Sequence, residues 1–525
     1  MALTAPLFLV IGHLLSPDTD VWQHLIETVL VDYIRNSTLL TVGVAGGTLL
    51  IGTLTAIFIT QYEFSFRRQL KTLLLLPLAM PAYIIAYSYT GLLDVAGPLQ
   101  TFLRDSFGWQ YGDYWFPDVR TLPFAILMMS LVLYPYVYIL ARTAFSEVPD
   151  SLREASVLQG LSHRQFMLRV AMPLARPALF TGAALAMMEA LADYGTVSYF
   201  GINTLTTGIF RTWFAMGNRE VATQIAASLC LFVLLVLVLE QYSRRRLRYY
   251  QNPTAASRTV TRRRLTGSKN VLALIVCGLP VLLGFVVPTI QLFVWAFSRL
   301  DTIDWPAYLN LVYATFMLGG GTAILVVLIA VLFSYQQRWL PSVLGKWQLR
   351  FLSLGYALPG MVIAVGALIM LGWFDNFLND IWYQLFGEYV GLIFSGTLFA
   401  LVFCYCIRFL SVALQNTEAG IARISPSLDD AARTLGASRF KLLRIIHLPI
   451  MRASLLSAGL LVFVDVLKEL PATLVLRPFN FNTLAVRAYE LASDERLYDA
   501  ALPAITIVMV GLLPIIIVTR TLDKG

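Results

Sequence analysis

Charge is what this sequence has least of. Only 13% of its 525 residues are Asp, Glu, Lys or Arg, where a soluble protein carries about a quarter. That shortfall excludes an ordinary water-soluble fold and sets the chain against a bilayer. Cysteine is scarce too. Cys230, Cys277, Cys404 and Cys406 each lie in an apolar run, which argues against a disulfide framework. Cys404 and Cys406, two positions apart, would point away from each other on a helix and make a poor metal pair. The histidines, His13, His24, His163 and His447, are scattered and form no ligand cluster. No Lys or Arg stands in the first five residues, so a cleaved signal peptide is not expected. A G-x-x-x-x-G-K-[ST] run is also missing: Gly345-Lys346 is followed by Trp347 and has no glycine five positions before it.

Long apolar runs are what the chain does have. About 20 apolar residues cross a hydrocarbon core of about 30 Å. Segments near 38–60, 70–92, 121–141, 178–200, 222–240, 271–297, 309–333, 351–373, 391–407, 453–476 and 500–519 qualify as spans. Residues 3–15 make a short twelfth, kept because the repeat described next requires it. The expected fold is an all-α polytopic membrane protein of about 12 transmembrane helices. Alternate loops divide the basic residues unevenly, 29 on one side against 9 on the other. The richer set, with both termini, is expected in the cytoplasm. The basic run 244–248 with 262–264 fits a linker beside anionic lipid, not a nucleic-acid contact.

The chain repeats itself. Residues 151–176 and 427–452 align without a gap at an offset of 276, with 7 of 26 positions identical, among them Ala155/Ala431, Gly160/Gly436, Ser162/Ser438 and Pro173/Pro449. Glu189 and Asp193 fall on Asp465 and Glu469 at the same offset, and Asn203-Thr204-Leu205 matches Asn482-Thr483-Leu484 after a small shift. This divides the chain into a first half, 1–240, a basic linker, 241–270, and a second half, 271–525. Six spans per half give both halves one orientation. A pseudo-twofold axis along the membrane normal follows, with a pathway between the halves.

Each repeated loop predicts a helix–turn–helix elbow. Ser151-x-x-Glu154 and Ser427-x-x-Asp430 fit a capping box at a helix start. Gly160 and Gly436 interrupt the helix, Ser162 and Ser438 can cap a second short helix, and Pro173 and Pro449 mark the approach to the next span. In the two spans that follow, four carboxylates, Glu189 with Asp193 and Asp465 with Glu469, lie at i, i+4 spacing, each pair on one helix face. A charge at a helix centre costs about 2.5–3.5 kcal/mol on insertion scales, so these acids need a reason to be there. Two readings stand side by side. In one, Lys468 pairs with a neighbouring acid and the rest bond across the halves. In the other, the acids line a path for a hard cation. Tyr83, Tyr87, Tyr89, Tyr134, Tyr136 and Tyr138 could serve such a cation, although packing is the commoner role of such residues.

The loop pattern E-A-A, three residues, G, nine residues, I-x-L-P resembles the cytoplasmic signature of ABC importer permeases. It stands here as Glu154-Ala155-Ser156, Gly160 and Val170-Ala171-Met172-Pro173, then as Asp430-Ala431-Ala432, Gly436 and Ile446-His447-Leu448-Pro449. Ser156, Asp430, Val170 and Met172 are mild departures. The resemblance implies coupling helices at 147–173 and 423–449 that dock on two copies of a separate cytoplasmic ABC ATPase. That subunit would hydrolyse ATP with Mg, and this chain would hold no cofactor and no catalytic residue. The resemblance further implies an inner-membrane location and a periplasmic substrate-binding protein. The fused layout, the LKELPAT stretch at 467–473 and DYGTVSYFG at 193–201 resemble the two-domain permeases of ferric-iron importers. Fused thiamine permeases share the layout, and polyamine and inorganic-anion permeases share the loop. A twelve-span secondary transporter with parallel halves is the rival class, and it has no reason for the loop signature.

Overall fold

The computed structural model describes residues 5–12, 19–245, 262–340, 342–353 and 355–522. Most of the expected linker, 246–261, lies outside these, as does His13. Helix dominates, as a bilayer demands, because a helix satisfies its own backbone polar groups. Among the described residues ten helices are long and apolar enough to cross a membrane: Leu30–Gln61, Leu122–Ser146, His163–Ala192, Arg219–Tyr242, Ser268–Ser298, Trp305–Trp339, Gly360–Phe386, Leu398–Ala422, Arg439–Lys468 and Leu497–Ile516. An eleventh is counted if the pair Arg67–Ala79 and Ala82–Phe107, bent by 93°, is one span.

Ten or eleven is fewer than the expected twelve, and two features account for it. The first helix, Ala5–Gly12, has 8 residues. That described stretch is too short to count as a span, and residues 3, 4 and 13–15 of the expected span lie outside the described residues. The expected span 70–92 is instead broken at Pro81, which is extended (φ −61°, ψ 143°). Pro359 does the same in the second half (φ −57°, ψ 135°). Proline has no N–H to donate and drives the residue before it out of the α region. The break is thus written into both repeats.

The halves are interleaved. Two apolar cores form, and each takes residues from both halves. In one, Tyr134 and Val137 pack with Cys277, Trp295 and Ile505. In the other, Val10 and Val233 pack with Val362, Leu410 and Val462. The opening helix of each half lies against the opposite half. Glycine allows both crossings: a Cβ at Gly366 would come within 2.6 Å of the Pro6 carbonyl oxygen, and one at Gly284 within 2.5 Å of that of Leu131. A short parallel pairing of Tyr62–Glu63 with Arg263–Arg264 fastens the start of the second half to the first.

Candidate functional site

Both elbows are present. The first is helix Asp150–Leu158 followed by His163–Phe166. The second is Pro426–Thr434 followed by Arg439–Leu442. Gly160 and Gly436 turn them in the left-handed region, at φ 74° and 76°, where a Cβ is disfavoured. Ser162 Oγ accepts from the Gln165 amide, and the Gln165 side chain accepts from the Ser162 amide at 2.8 Å. Ser438 Oγ accepts from the Lys441 amide. The capping boxes expected at Ser151 and Ser427 do not form. Each helix starts earlier than the motif suggests: Pro149 takes the N-cap position of the first, without a side-chain bond, and Ser425 caps the second by accepting from the Ser427 amide. Ser151 and Ser427 therefore lie inside the first turn, past the position from which a side chain can cap. Glu154, Ala155, Asp430 and Ala431 are exposed, and so are Leu158 and Leu435 at the turns, both at 88%. Pro173 is half-buried and Pro449 exposed.

The second elbow is tied down by charge. Arg338 Nε donates to Asp429 Oδ2 at 2.7 Å, and His447 Nε2 lies 2.8 Å from Asp429 Oδ1. Burial raises the Asp429 pKa, but the Arg338 guanidinium and His447 outweigh it and hold the carboxyl below its ordinary range. The first half has Arg153 at the matching position, bonded to the neutral side chain of Gln61.

Between the halves lies a cavity of about 120 Å³, and Glu189, Asp193, Asp465 and Glu469 all line it. The four acids do not share continuous helices, as their spacing suggested. Each helix ends just before its second acid, with Asp193 (φ −68°, ψ 133°) and Glu469 (φ −70°, ψ 117°) extended. Gly195 and Pro471 then open a second short helix in each half. The acids cap those helices. Asp193 Oδ1 accepts from the Thr196 and Val197 amides at 2.9 and 3.3 Å. Glu469 Oε1 accepts from the Ala472 amide at 3.2 Å. An acid at a helix N-terminus meets orphan N–H groups and the favourable end of the dipole, so capping is one reason these two charges are tolerated.

The two walls differ in charge. In the second half Lys468 Nζ sits 2.8 Å from Asp465 Oδ1, and Arg408 Nε sits 3.3 Å from Glu469 Oε2. At the offset of 276 the first half carries Ala192 and Val132 instead. Its acids therefore have no basic side chain paired with them: the Asp193 carboxyl is bonded only to Thr196 and Val197, and Glu189 has no hydrogen bond or ion pair among the described residues. Sequence reading missed Arg408 by closing a span at 407 and assigning it to a loop. It lies inside helix Leu398–Ala422, buried. The signal was available, since 391–407 is shorter than a membrane crossing needs.

Among the tyrosines, Tyr89 and Tyr138 donate to the backbone oxygens of Leu283 and Lys71. Tyr83 and Tyr136 line the cavity. Among the described residues the hydroxyls of Tyr83, Tyr87 and Tyr134 are buried without a hydrogen-bond partner, an arrangement that costs about 1–3 kcal/mol for each group, and that of Tyr199 has only the Thr90 hydroxyl within reach. All four cysteines are buried free thiols. Among the described residues no three His, Cys, Asp or Glu side chains converge to hold a metal ion.

Comparison with known proteins supplies the family. Residues 48–249 and 326–525 each match the binding-protein-dependent transport system inner membrane component. An Fe(3+)-transport system permease protein of Haemophilus influenzae is 25% identical over 94% of this chain and 90% of its own length. A ferric transport system permease protein of Actinobacillus pleuropneumoniae is 23% identical over 85% of this chain and 64% of its own length. A putative molybdenum transport system permease protein of Bacillus subtilis is 26% identical over 36% of this chain and 82% of its own. Matched twice over most of its length, with an elbow in each matched segment, this chain belongs to the binding-protein-dependent transport system inner membrane component family and is a multi-pass permease of an ABC importer, a kind of subunit that works with a substrate-binding protein and an ATPase.

Proposed function

We propose that this permease moves ferric iron, received from a periplasmic binding protein, through the cavity between its halves into the cytoplasm. The observation that carries the reading is the charge asymmetry of the cavity. Four carboxylates face two cations, and both cations are already held by second-half acids. An anionic cargo would need Arg408 or Lys468 free. A hard cation needs oxygen donors that no basic side chain already holds, and the carboxyl groups of Glu189 and Asp193 offer them. The ferric permeases that align along most of the chain point the same way. The same cavity serving thiamine or a polyamine is the weaker reading, because such cargo gains less from dense carboxylate charge.

Two ATPase copies would dock at 147–173 and 423–449, one per elbow, and hydrolyse ATP with Mg. Glu154, Ala155, Gly160 and Pro173, with Asp430, Ala431, Gly436 and Pro449, would form the coupling surfaces. The exposed Leu158 and Leu435 support this, since apolar side chains at the tip of an elbow need a partner. Both termini and the linker would then be cytoplasmic, with halves at 1–240 and 271–525.

Two outcomes test the proposal. A unit charge about 4 Å from a cation is worth about 4 kcal/mol at an effective dielectric of about 20. Glu189→Gln should therefore lower ferric uptake into vesicles holding the full complex by at least about tenfold. The ATPase should remain bound. Normal uptake per folded permease would refute the cation path. For coupling, Gly160→Val or Gly436→Val meets no steric clash, because nothing lies within 4 Å of a Cβ at either glycine. It does force a β-branched residue into the left-handed region, at about 1–2 kcal/mol. Such variants should co-purify with less ATPase while melting close to the parent. Full ATPase retention with normal transport would refute the coupling role.

A further inference from the structure

Three buried tyrosines follow one another as neighbours, and the hydroxyls of two of them, Tyr83 and Tyr87, have no hydrogen-bond partner among the described residues. Tyr83 and Tyr87 are one turn apart on helix Ala82–Leu93 and are 5% and 1% exposed. Tyr199, 9% exposed, packs its ring edge-on to Tyr87 with centroids 6.4 Å apart. The inner end is Tyr83, which lines the cavity and lies in the field of Glu469 and Asp193. The outer end is Tyr199, whose ring lies 5.2 Å beneath the Arg120 guanidinium. Arg120 pairs with Glu495 of the other half at 2.6 Å, and both are exposed. Thr90 donates its hydroxyl to the Ala86 carbonyl, and its oxygen is the acceptor near the Tyr199 hydroxyl.

The direction of the line follows from the chain. Arg120 stands just before helix Leu122–Ser146, and the first elbow follows that helix's other end. The line therefore runs from the cavity away from the ATPase side, ending at an ion pair that bridges the halves. Packing does not explain the hydroxyls. Counted from the paired breaks at Pro81 and Pro359, Tyr83 and Tyr87 fall on Met361 and Val365, and at the offset of 276 Tyr199 falls on Val475, all buried and apolar. The same fold is built there without a single oxygen in the line. Phenol oxygens on one side only, two of them without a protein partner among the described residues, point to a ligand that supplies the missing partners.

We propose that Tyr83, Tyr87 and Tyr199 form the outer limb of the translocation path, a ladder of phenol oxygens that passes a hard, highly charged cation from the Arg120–Glu495 pair to the acids of the cavity. This rests on the ferric reading above. In the structure the limb is closed, and the Arg120–Glu495 pair is its outer seal. Being exposed, that pair is weak, so docking of a loaded binding protein can part it. The phenol oxygens then stand in for waters of the cation's hydration shell, and a succession of sites lets the ion be handed on from one to the next.

The test uses the complete complex in vesicles, with ferric ion delivered by the binding protein as the probe. The triple variant Tyr83→Phe, Tyr87→Phe, Tyr199→Phe keeps every ring and removes only the oxygens. Its uptake per folded permease should fall at least about tenfold, while its melting temperature holds or rises and its ATPase stays bound. Tyr134→Phe removes another unpartnered hydroxyl outside the line and should transport normally. Normal uptake in the triple variant overturns the ladder and leaves the cavity assignment standing. An equal loss in Tyr134→Phe overturns it as a packing effect. If the unmodified complex carries another cargo but no ferric ion, the ferric reading falls and the ladder falls with it.

Discussion

Arg408→Ala should destabilise the permease by about 3–5 kcal/mol, the cost of breaking a buried ion pair from one side. The side chains of Arg408 and Glu469 are 8% and 5% exposed. With Arg408 gone, Glu469 keeps only the Ala472 amide. The guanidinium is packed so closely that a Cβ at Gly360 would lie 2.6 Å from it and 2.5 Å from Glu469 Oε1. A whole domain is stable by only about 5–15 kcal/mol, so the loss should show as a much lower melting temperature in detergent and poor recovery from the membrane. Arg408→Met combined with Glu469→Gln should recover most of it, because removing both charges leaves none stranded. Lys468→Ala should be milder, since Lys468 is a third exposed, at 33%. A parental melting temperature for Arg408→Ala would show that the pair contributes nothing net.

Arg338→Ala should release the second elbow and spare the first. The guanidinium bonds Asp429 and also donates to the Ile421 and Ile424 carbonyls, each at 3.1 Å, where the preceding helix runs out of internal partners. Its removal leaves Asp429 facing His447 alone. A loss of about 3 kcal/mol is expected at the elbow, read as faster amide exchange over 426–434 with 150–158 unchanged. The pH dependence has a fixed sign. A carboxyl whose folded pKa is depressed stabilises fully above its unfolded value, 3.8 for Asp429, and loses that contribution as pH falls through the lower folded value. In the parent the second elbow should therefore loosen only under acid below about pH 4, and in Arg338→Ala it should already be loose at neutral pH. Matched exchange in parent and variant at neutral pH would refute the tie.

What the sequence alone determined is what acts within a few residues or through bulk solvent. Low charge and long apolar runs place the chain in a bilayer, because transfer from water depends on composition and not on neighbours. The repeat, the turns at Gly160 and Gly436 and the caps at Ser162 and Ser438 rest on contacts three or four residues apart, which spacing reveals. The tertiary structure decided how distant segments meet. It brought Arg338 to Asp429 across 91 positions and Arg120 to Glu495 across 375, crossed the first helix of each half onto the other, and put Arg408 beside Glu469. It also turned four acids expected on two helix faces into two helix caps, one ion-paired acid and one unpaired acid. In lipid an apolar face gains nothing from choosing one apolar neighbour over another. Helix pairing therefore rests on shape, on close approach at residues such as Gly284 and Gly366, and on where buried polar groups find partners, none of which hydropathy records.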